Sequence, residues 1–312
     1  GPRSIRGAIA LSSEDGDVSY GDLDERSNRL ARALIARGAG PETFVAIGVP
    51  RSLDSVLSVW AVAKTGAAFV PIDPNYPPDE RITHMLVDSG VTLGVTTTEH
   101  RDRLPGTAHW LALDEPGFAT ECAERPAAAV TDVDRSGPIT LDTAVYAVYT
   151  SGSTGVPKGV VVTHRGLDNF ALDQLERFGA APQSRTLHFS TPSFDGSVFE
   201  YLQAFGAGAT MVIAPPTVFG GDELARLLAD RSVTHAFITT AALASLDPAG
   251  AGAAHGPGVR RRGLPPELVT RWAPGPPAVQ RVRTDRDDDH VQHQRADGLR
   301  APDHHRRADP RG

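Results

Sequence analysis

From residue 149 to residue 159 the chain reads Tyr-Thr-Ser-Gly-Ser-Thr-Gly-Val-Pro-Lys-Gly, a density of glycine, hydroxyl and lysine suited to holding phosphate. Gly152, Gly155 and Gly159 let backbone N–H groups approach an anion with no Cβ in the way, while Ser151, Ser153 and Thr154 add hydroxyl donors. Lys158 supplies a point charge, and Pro157 stiffens the loop tip just before it. The order differs from a Walker A loop, where Gly-Lys-Ser/Thr opens a helix; here Lys158 follows proline and leads into a β-branched run, residues 160–163. A Ser- and Gly-rich surface turn is the plainer alternative. The second constellation is Phe-Asp-Gly-Ser-Val-Phe-Glu-Tyr at residues 194–201. Asp195 stands there among aromatic and apolar neighbours, where an unpaired carboxylate is costly, so it either meets a cation or, with Ser193, caps a helix beginning near Val198. Ser197 reads as structural.

The elements that must position these residues alternate. Residues 144–149 alternate small and large apolar side chains, which makes the phosphate-type loop a strand–loop–strand unit. Upstream, a short strand at residues 18–20 leads to a helix that Asp22 or Asp24 could cap, with Leu23, Ser27, Leu30, Ala31 and Leu34 on one face. Residues 44–49 read as a buried strand. Residues 52–65 read as a helix with Leu53, Val56, Leu57, Trp60 and Ala63 on one face, closed by Gly66, and a strand follows. A turn at residues 72–78 uses Asp73 and Asn75 beside three prolines. A helix at residues 81–88 ends at Gly90, and residues 91–95 form a strand. Residues 97–140 are acidic and weakly periodic apart from 110–113, and Cys122 within them reads as an incidental thiol. After the loop, strands are expected at 185–190, 209–213 and 234–239. Helices are expected from 164 to about 178, around 201–205, at 224–228 and from 240. Such alternation predicts an α/β fold of layered, mostly parallel sheets flanked by helices.

A chain of 312 residues buries a sizeable core, and a formal net charge of −7 argues against nucleic acid or an anionic membrane as partner. One cysteine excludes an internal disulfide, no apolar run is long enough for a span, and the start lacks a signal core, so the expected place is the cytoplasm.

Residues 149–159 resemble the signature loop of the adenylate-forming superfamily, most closely that of the amino-acid adenylation domains of nonribosomal peptide synthetases. Residues 62–78 are similar to a second motif of that family, and the resemblance spans roughly residues 15–250, with 1–14 as a lead. It implies the large N-terminal part of the adenylate-forming fold, with Lys158 catalytic and Thr150, Ser151, Gly152, Ser153, Thr154, Gly155, Lys158 and Gly159 around the ATP phosphates. It also implies that Asp195 pairs with the α-ammonium of an amino acid and that Gly196, Phe199 and Phe237 line its side-chain pocket. A glycine and two aromatics make that pocket roomy and apolar, which points to a hydrophobic amino acid; plain core roles for Phe199 and Phe237 remain open. The implied reaction joins an amino acid to ATP, giving aminoacyl-AMP, then loads a carrier-protein thiol. ATP and Mg²⁺ are the implied cofactors. An acyl-CoA synthetase-type ligase is the rival within the class, and a non-catalytic nucleotide-binding remnant the rival outside it.

Residues 251–312 contain no Ile, Phe, Tyr, Met, Asn, Ser or Lys, too little to build a core. His290, His293, His304 and His305 are one alternative as metal ligands, and a disordered tail is another. A sharper reading starts from residues 264–275, an island that resembles the family helix preceding Asn-Ala-Tyr-Gly-Pro-Thr-Glu. Residues 278–290, back-translated with GC-rich codons and read one base later, become Pro-Phe-Asn-Ala-Tyr-Gly-Pro-Thr-Glu-Thr-Thr-Ile-Met. The tail therefore reads as a frameshift product. The family's adenine-contacting segment, whose glutamate helps hold Mg²⁺, is not spelled in this frame, so the resemblance implies little activity for the chain as written.

Overall fold

The computed structural model describes residues 5–75, 79–151, 156–247 and 257–259, the last three as backbone. In chain order the first half contains β1 (Ile9–Ser13), β2 (Gly16–Ser19), α1 (Tyr20–Ile35), β3 (Phe44–Gly48), α2 (Leu53–Thr65), β4 (Ala68–Pro71), α3 (Asp79–Ser89), β5 (Leu93–Thr96), α4 (Thr98–Arg101), β6 (His109–Ala112) and α5 (Pro116–Glu124). The second half contains β7 (Ala144–Ser151), β8 (Pro157–Thr163), α6 (Leu167–Phe178), β9 (Arg185–His188), α7 (Asp195–Gly206), β10 (Thr210–Ile213), α8 (Gly221–Asp230), β11 (Ala236–Ile238), α9 (Thr240–Ser245) and β12 (Pro257–Val259).

Two main sheets form. One runs β6-β5-β3-β4-β7-β8 and is parallel except for the β7–β8 hairpin; the other runs β2-β1-β10-β9, parallel from β1 onward. Because successive strand residues point to opposite faces, one strand can feed two cores. In β3, Val45 and Ile47 enter the cluster beneath α1 and α2, while Ala46 enters the one beneath α3. In β10, Met211 and Ile213 face α1, α2 and α7, while Val212 faces α8 and α9. Helices α1, α2 and α7 are thus shared between the sheets, giving alternating layers of helix and sheet as the strand–helix pattern predicts.

The shared layer explains a departure from expectation. Helix α2 was expected to bury one face, yet Val56 packs toward the smaller sheet and Ala61 and Val62 toward the larger, so it is enclosed on two sides. Its start carries a capping box between Ser52 and Ser55, and Gly66 closes it at φ 85°, in the left-handed region that favours glycine. Helix α1 is capped by Ser19, not by Asp22 or Asp24: Ser19 Oγ accepts from the Asp22 amide at 3.0 Å and donates to Asp22 Oδ2 at 2.7 Å. The turn after β4 behaves as read, with Asp73 Oδ1 accepting from the Asn75 amide at 2.9 Å.

Three further corrections concern segments read as featureless. β1 lies within the expected lead, yet it sits between β2 and β10, its Leu11 1% exposed. Residues 97–140 contribute α4, β6 and α5, and the irregular stretch after α5 is strapped to α1 by side chains. Arg32 donates to the carbonyls of Pro126, Ala128 and Ala129 and pairs with Asp134, and Asn28 donates to the Ala127 carbonyl at 2.8 Å. These long-range polar ties leave no periodic signature. Within the tail, residues 257–259 pair in parallel with β11; the island at 264–275, residues 278–290 and the four histidines lie outside the described residues.

Candidate active site

The glycine-rich loop is the tip of the β7–β8 hairpin. The register pairs Tyr149 with Gly159, Thr150 with Lys158 and Ser151 with Pro157, so hydroxyl-bearing and lysine-bearing strands face each other at the mouth of the loop. Gly152, Ser153, Thr154 and Gly155 lie outside the described residues, as does the side chain of Ser151. Thr150 and Lys158 are exposed. Gly159 has a steric reason to be glycine: a Cβ there would stand 3.0 Å from Cζ of the Tyr149 ring. The hairpin is held on α3 by the Tyr149 hydroxyl, which donates to Asp88 Oδ2 at 2.7 Å, and by His84, whose Nε2 lies 3.0 Å from the Pro157 carbonyl. Lys158 thus projects from an anchored strand.

The second constellation forms where β9, α7 and β11 meet. Asp195 is the first residue of α7, exposed to solvent, with Phe194 at the N-cap position and 62% exposed. This corrects two expectations: Asp195 is not enclosed by apolar side chains, and the helix starts at Asp195, with Phe194 at the N-cap position and no capping bond from the Ser193 hydroxyl. The partial positive charge of the α7 N-terminus favours a carboxylate at that position. Ser197 is structural as read, buried and donating to the Phe194 carbonyl at 2.7 Å.

Gly196, Phe199 and Phe237 come together. The Phe199 and Phe237 rings are 4.8 Å apart between centroids, and a Cβ on Gly196 would stand 3.1 Å from Phe237 Cε1 and 2.8 Å from Ser190 Oγ. Phe199 also meets Phe178 edge-on at 5.5 Å and Phe170 at 6.4 Å. The two aromatics singled out from sequence are therefore neighbours across α7 and β11, two elements separated by β10 and α8.

Sequence reasoning missed a buried polar cluster behind them. Glu200 and His188 are both fully buried, with Glu200 Oε2 2.6 Å from His188 Nδ1. Arg51, just beyond β3, is buried and donates to the carbonyls of Phe189, Ala214 and Pro215, its guanidinium 5.4 Å over the Phe189 ring. Burial pulls its pKa below the ordinary arginine value, against which the charge of Glu200 acts. The available signal was a carboxylate inside the run Val-Phe-Glu-Tyr-Leu and an imidazole inside a buried strand.

A separate open cleft of about 730 Å³ lies at the carboxyl ends of strands from both sheets, with Ser13, Arg51, Asp54 and Asp114 on its wall; no residue singled out for chemistry lines it. Burial, then repulsion from Asp114 and Asp15, raises the Asp54 pKa. Cys122 is half-buried with its thiol pushed up to about 11, chiefly by burial, which fits a thiol without nucleophilic duty.

The chain thus carries a strand–glycine-rich loop–strand hairpin on a layered α/β body and an aspartate as the first residue of α7. The AMP-binding enzyme family matches residues 3–281, and the chain belongs to that family. It is 41% identical over 271 residues to CymA of Salinispora arenicola, named a probable non-canonical nonribosomal peptide synthetase, covering 86% of this chain and 4% of that protein. Among solved structures it is similar to the AMPPNP-bound form of the nonribosomal peptide synthetase FmoA3, with a TM-score of 0.76 and 26% identity over 89% of this chain and 29% of that one. The N-terminal subdomain of Klebsiella oxytoca NpsA shares the fold, with a TM-score of 0.74 and 24% identity over 87% of this chain and 68% of that one. The chain thus spans a small part of the synthetases it matches.

Among the described residues no helix is long and apolar enough to cross a membrane.

Proposed function

We propose that the chain forms the amino-acid- and ATP-binding part of an adenylation domain that activates an amino acid as aminoacyl-AMP for loading onto a carrier-protein thiol. The observation that carries this reading is the convergence of Gly196, Phe199 and Phe237 beside Asp195 at the start of α7. An exposed carboxylate next to an apolar aromatic surface matches the two ends of a hydrophobic amino acid: the ammonium would meet Asp195 and the side chain would lie against the rings.

A carboxylate oxygen of the amino acid would attack the α-phosphorus of ATP, and the bond to the β-phosphate would break with release of pyrophosphate. Lys158 and the hydroxyl- and amide-bearing loop around it would stabilise the departing charge. That Lys158 stands at the mouth of an anchored hairpin supports this role. Mg²⁺ would enter with ATP, held chiefly by the phosphates, and among the described residues no group of three His, Cys, Asp or Glu side chains is placed to hold a metal ion.

The full chain should be assayed for ATP–pyrophosphate exchange against the standard amino acids. Exchange dependent on a hydrophobic amino acid, lost in Asp195→Ala and lowered at least about a hundredfold in Lys158→Ala, is the result expected once the family frame after residue 250 is restored, with little or none from the chain as written. Exchange driven by a fatty acid would point to the acyl-CoA synthetase class instead, and saturable ATP binding without exchange to a non-catalytic remnant.

A second reading follows from residues 278–290. We propose that the tail after about residue 250 has left the family frame, regained it over 264–275 and lost it again. That the family match includes residues 264–275 supports the return to the family frame over that island. The consequence is weak or absent turnover in this frame, since the adenine-contacting segment is not spelled, and Lys158 would act without the partners that orient in-line attack. Resequencing the gene across the codons for 245–312 decides it: the same codons, with no insertion or deletion relative to a family-like frame, would rule the frameshift out.

A further inference from the structure

We infer that Glu200 is a positioning residue that sets the wall of the side-chain pocket through Ser190, an inference that rests on the amino-acid-binding reading above. The Glu200 carboxylate has no exposed surface. Its Oε1 accepts from the Ser190 amide at 2.9 Å and the Ser190 hydroxyl at 2.8 Å; its Oε2 accepts from the Phe189 amide at 3.1 Å and faces His188 Nδ1 at 2.6 Å. A carboxylate at that depth is tolerated only when its lone pairs are filled, and every donor here comes from residues 188–190 at the carboxyl end of β9. Glu200 sits on α7, within two turns of Asp195, Gly196 and Phe199. It therefore ties the helix that carries the pocket to the strand end behind it.

Ser190 is the relay. Its hydroxyl occupies the space that a side chain on residue 196 would take, 2.8 Å from that Cβ position, with Phe237 on the adjoining side. With its hydrogen directed to Glu200, the hydroxyl turns its lone pairs away from the carboxylate, and its rotation is fixed. Arg51 holds the same segment from the opposite side, because the carbonyl of Phe189 accepts from the guanidinium while the amide of Phe189 donates to Glu200. The pocket wall is thereby set by a buried polar network rather than by apolar packing alone, and discrimination between side chains of similar size depends on that network staying intact.

Equilibrium dialysis of the full chain with each labelled standard amino acid, and separately with AMPPNP, tests this in the natural protein, Ser190→Ala and Glu200→Gln. The expected result is that both variants change the affinity ratio between the preferred amino acid and one a methylene larger by about tenfold, with AMPPNP affinity unchanged. A purely structural role would lower the melting temperature and weaken all ligands together; an unchanged ratio in folded Ser190→Ala overturns the inference. If Glu200→Gln does not fold, Ser190→Ala decides alone, because it removes a single oxygen. A natural protein that binds no amino acid overturns the amino-acid-binding reading and this inference with it, and the unmutated chain alone reveals that.

Discussion

The hydroxyl of Tyr149 donates to Asp88 Oδ2 at 2.7 Å, joining the strand that enters the glycine-rich loop to helix α3. This bond and the His84 contact to Pro157 fix where Lys158 emerges. Tyr149→Phe should keep the fold and cost about 1 kcal/mol in urea denaturation, with faster amide exchange confined to β7 and β8.

Alkaline pH should unfold the protein through its tyrosines. Burial holds the phenols of Tyr20, Tyr149 and Tyr201 above the ordinary range, with Asp88 adding to the effect at Tyr149 and Glu200 at Tyr201. A raised folded-state pKa means the stability is complete below the unfolded value of about 10 and is lost as pH climbs beyond it. Tyrosine ionisation and loss of helix signal should coincide in one transition above that pH. Ionisation of the three phenols with secondary structure intact would contradict the burial.

Gly159→Ala tests the close approach of the hairpin strands. The added methyl would meet the Tyr149 ring at 3.0 Å, and the ring is held by Asp88, so it cannot swing away freely. The expected cost is about 1–3 kcal/mol, and it should shrink in the Tyr149→Phe background, where the ring is released.

Arg51→Lys should not be conservative. The guanidinium reaches the carbonyls of Ala214 and Pro215, just past β10, and of Phe189 at once and lies over the Phe189 ring, which a single ammonium cannot reproduce. Chemical denaturation should show a loss of about 2–4 kcal/mol.

Glu121 sits between Arg37 and Arg125, and hydrogen bonds from both hold its carboxyl down to about 2. A lowered carboxyl pKa stabilises the fold above the unfolded value of about 4.3, and that contribution disappears as pH falls toward 2. The site is open to solvent, so Glu121→Gln should cost less than about 1 kcal/mol at neutral pH, and nothing at high salt.

Local pattern carried much of this protein. The β7–β8 hairpin was legible because two apolar β-type runs flank a stretch dominated by glycine and hydroxyl residues, and Gly66 and Gly90 marked helix ends through the backbone freedom those positions use, at φ 85° and 67°. The pattern failed where neighbours distant in sequence did the work. β1 looks like a lead because its partner β10 lies some two hundred residues on, and residues 125–135 look unstructured because arginines on α1 hold them.

The sequence alone determined that the chain carries a glycine- and hydroxyl-rich loop with one lysine between two strands, an aspartate in a Phe-Asp-Gly-Ser run, and α/β layering, since each follows from residue type and short-range period. Only the tertiary structure decided that Asp195 is exposed, that Phe237 reaches Phe199, and that Glu200 grips Ser190 behind Gly196. The reason is physical: those relations depend on which strand ends a helix packs against, and a buried carboxylate reveals its purpose only when the donors that make its burial tolerable are brought to it.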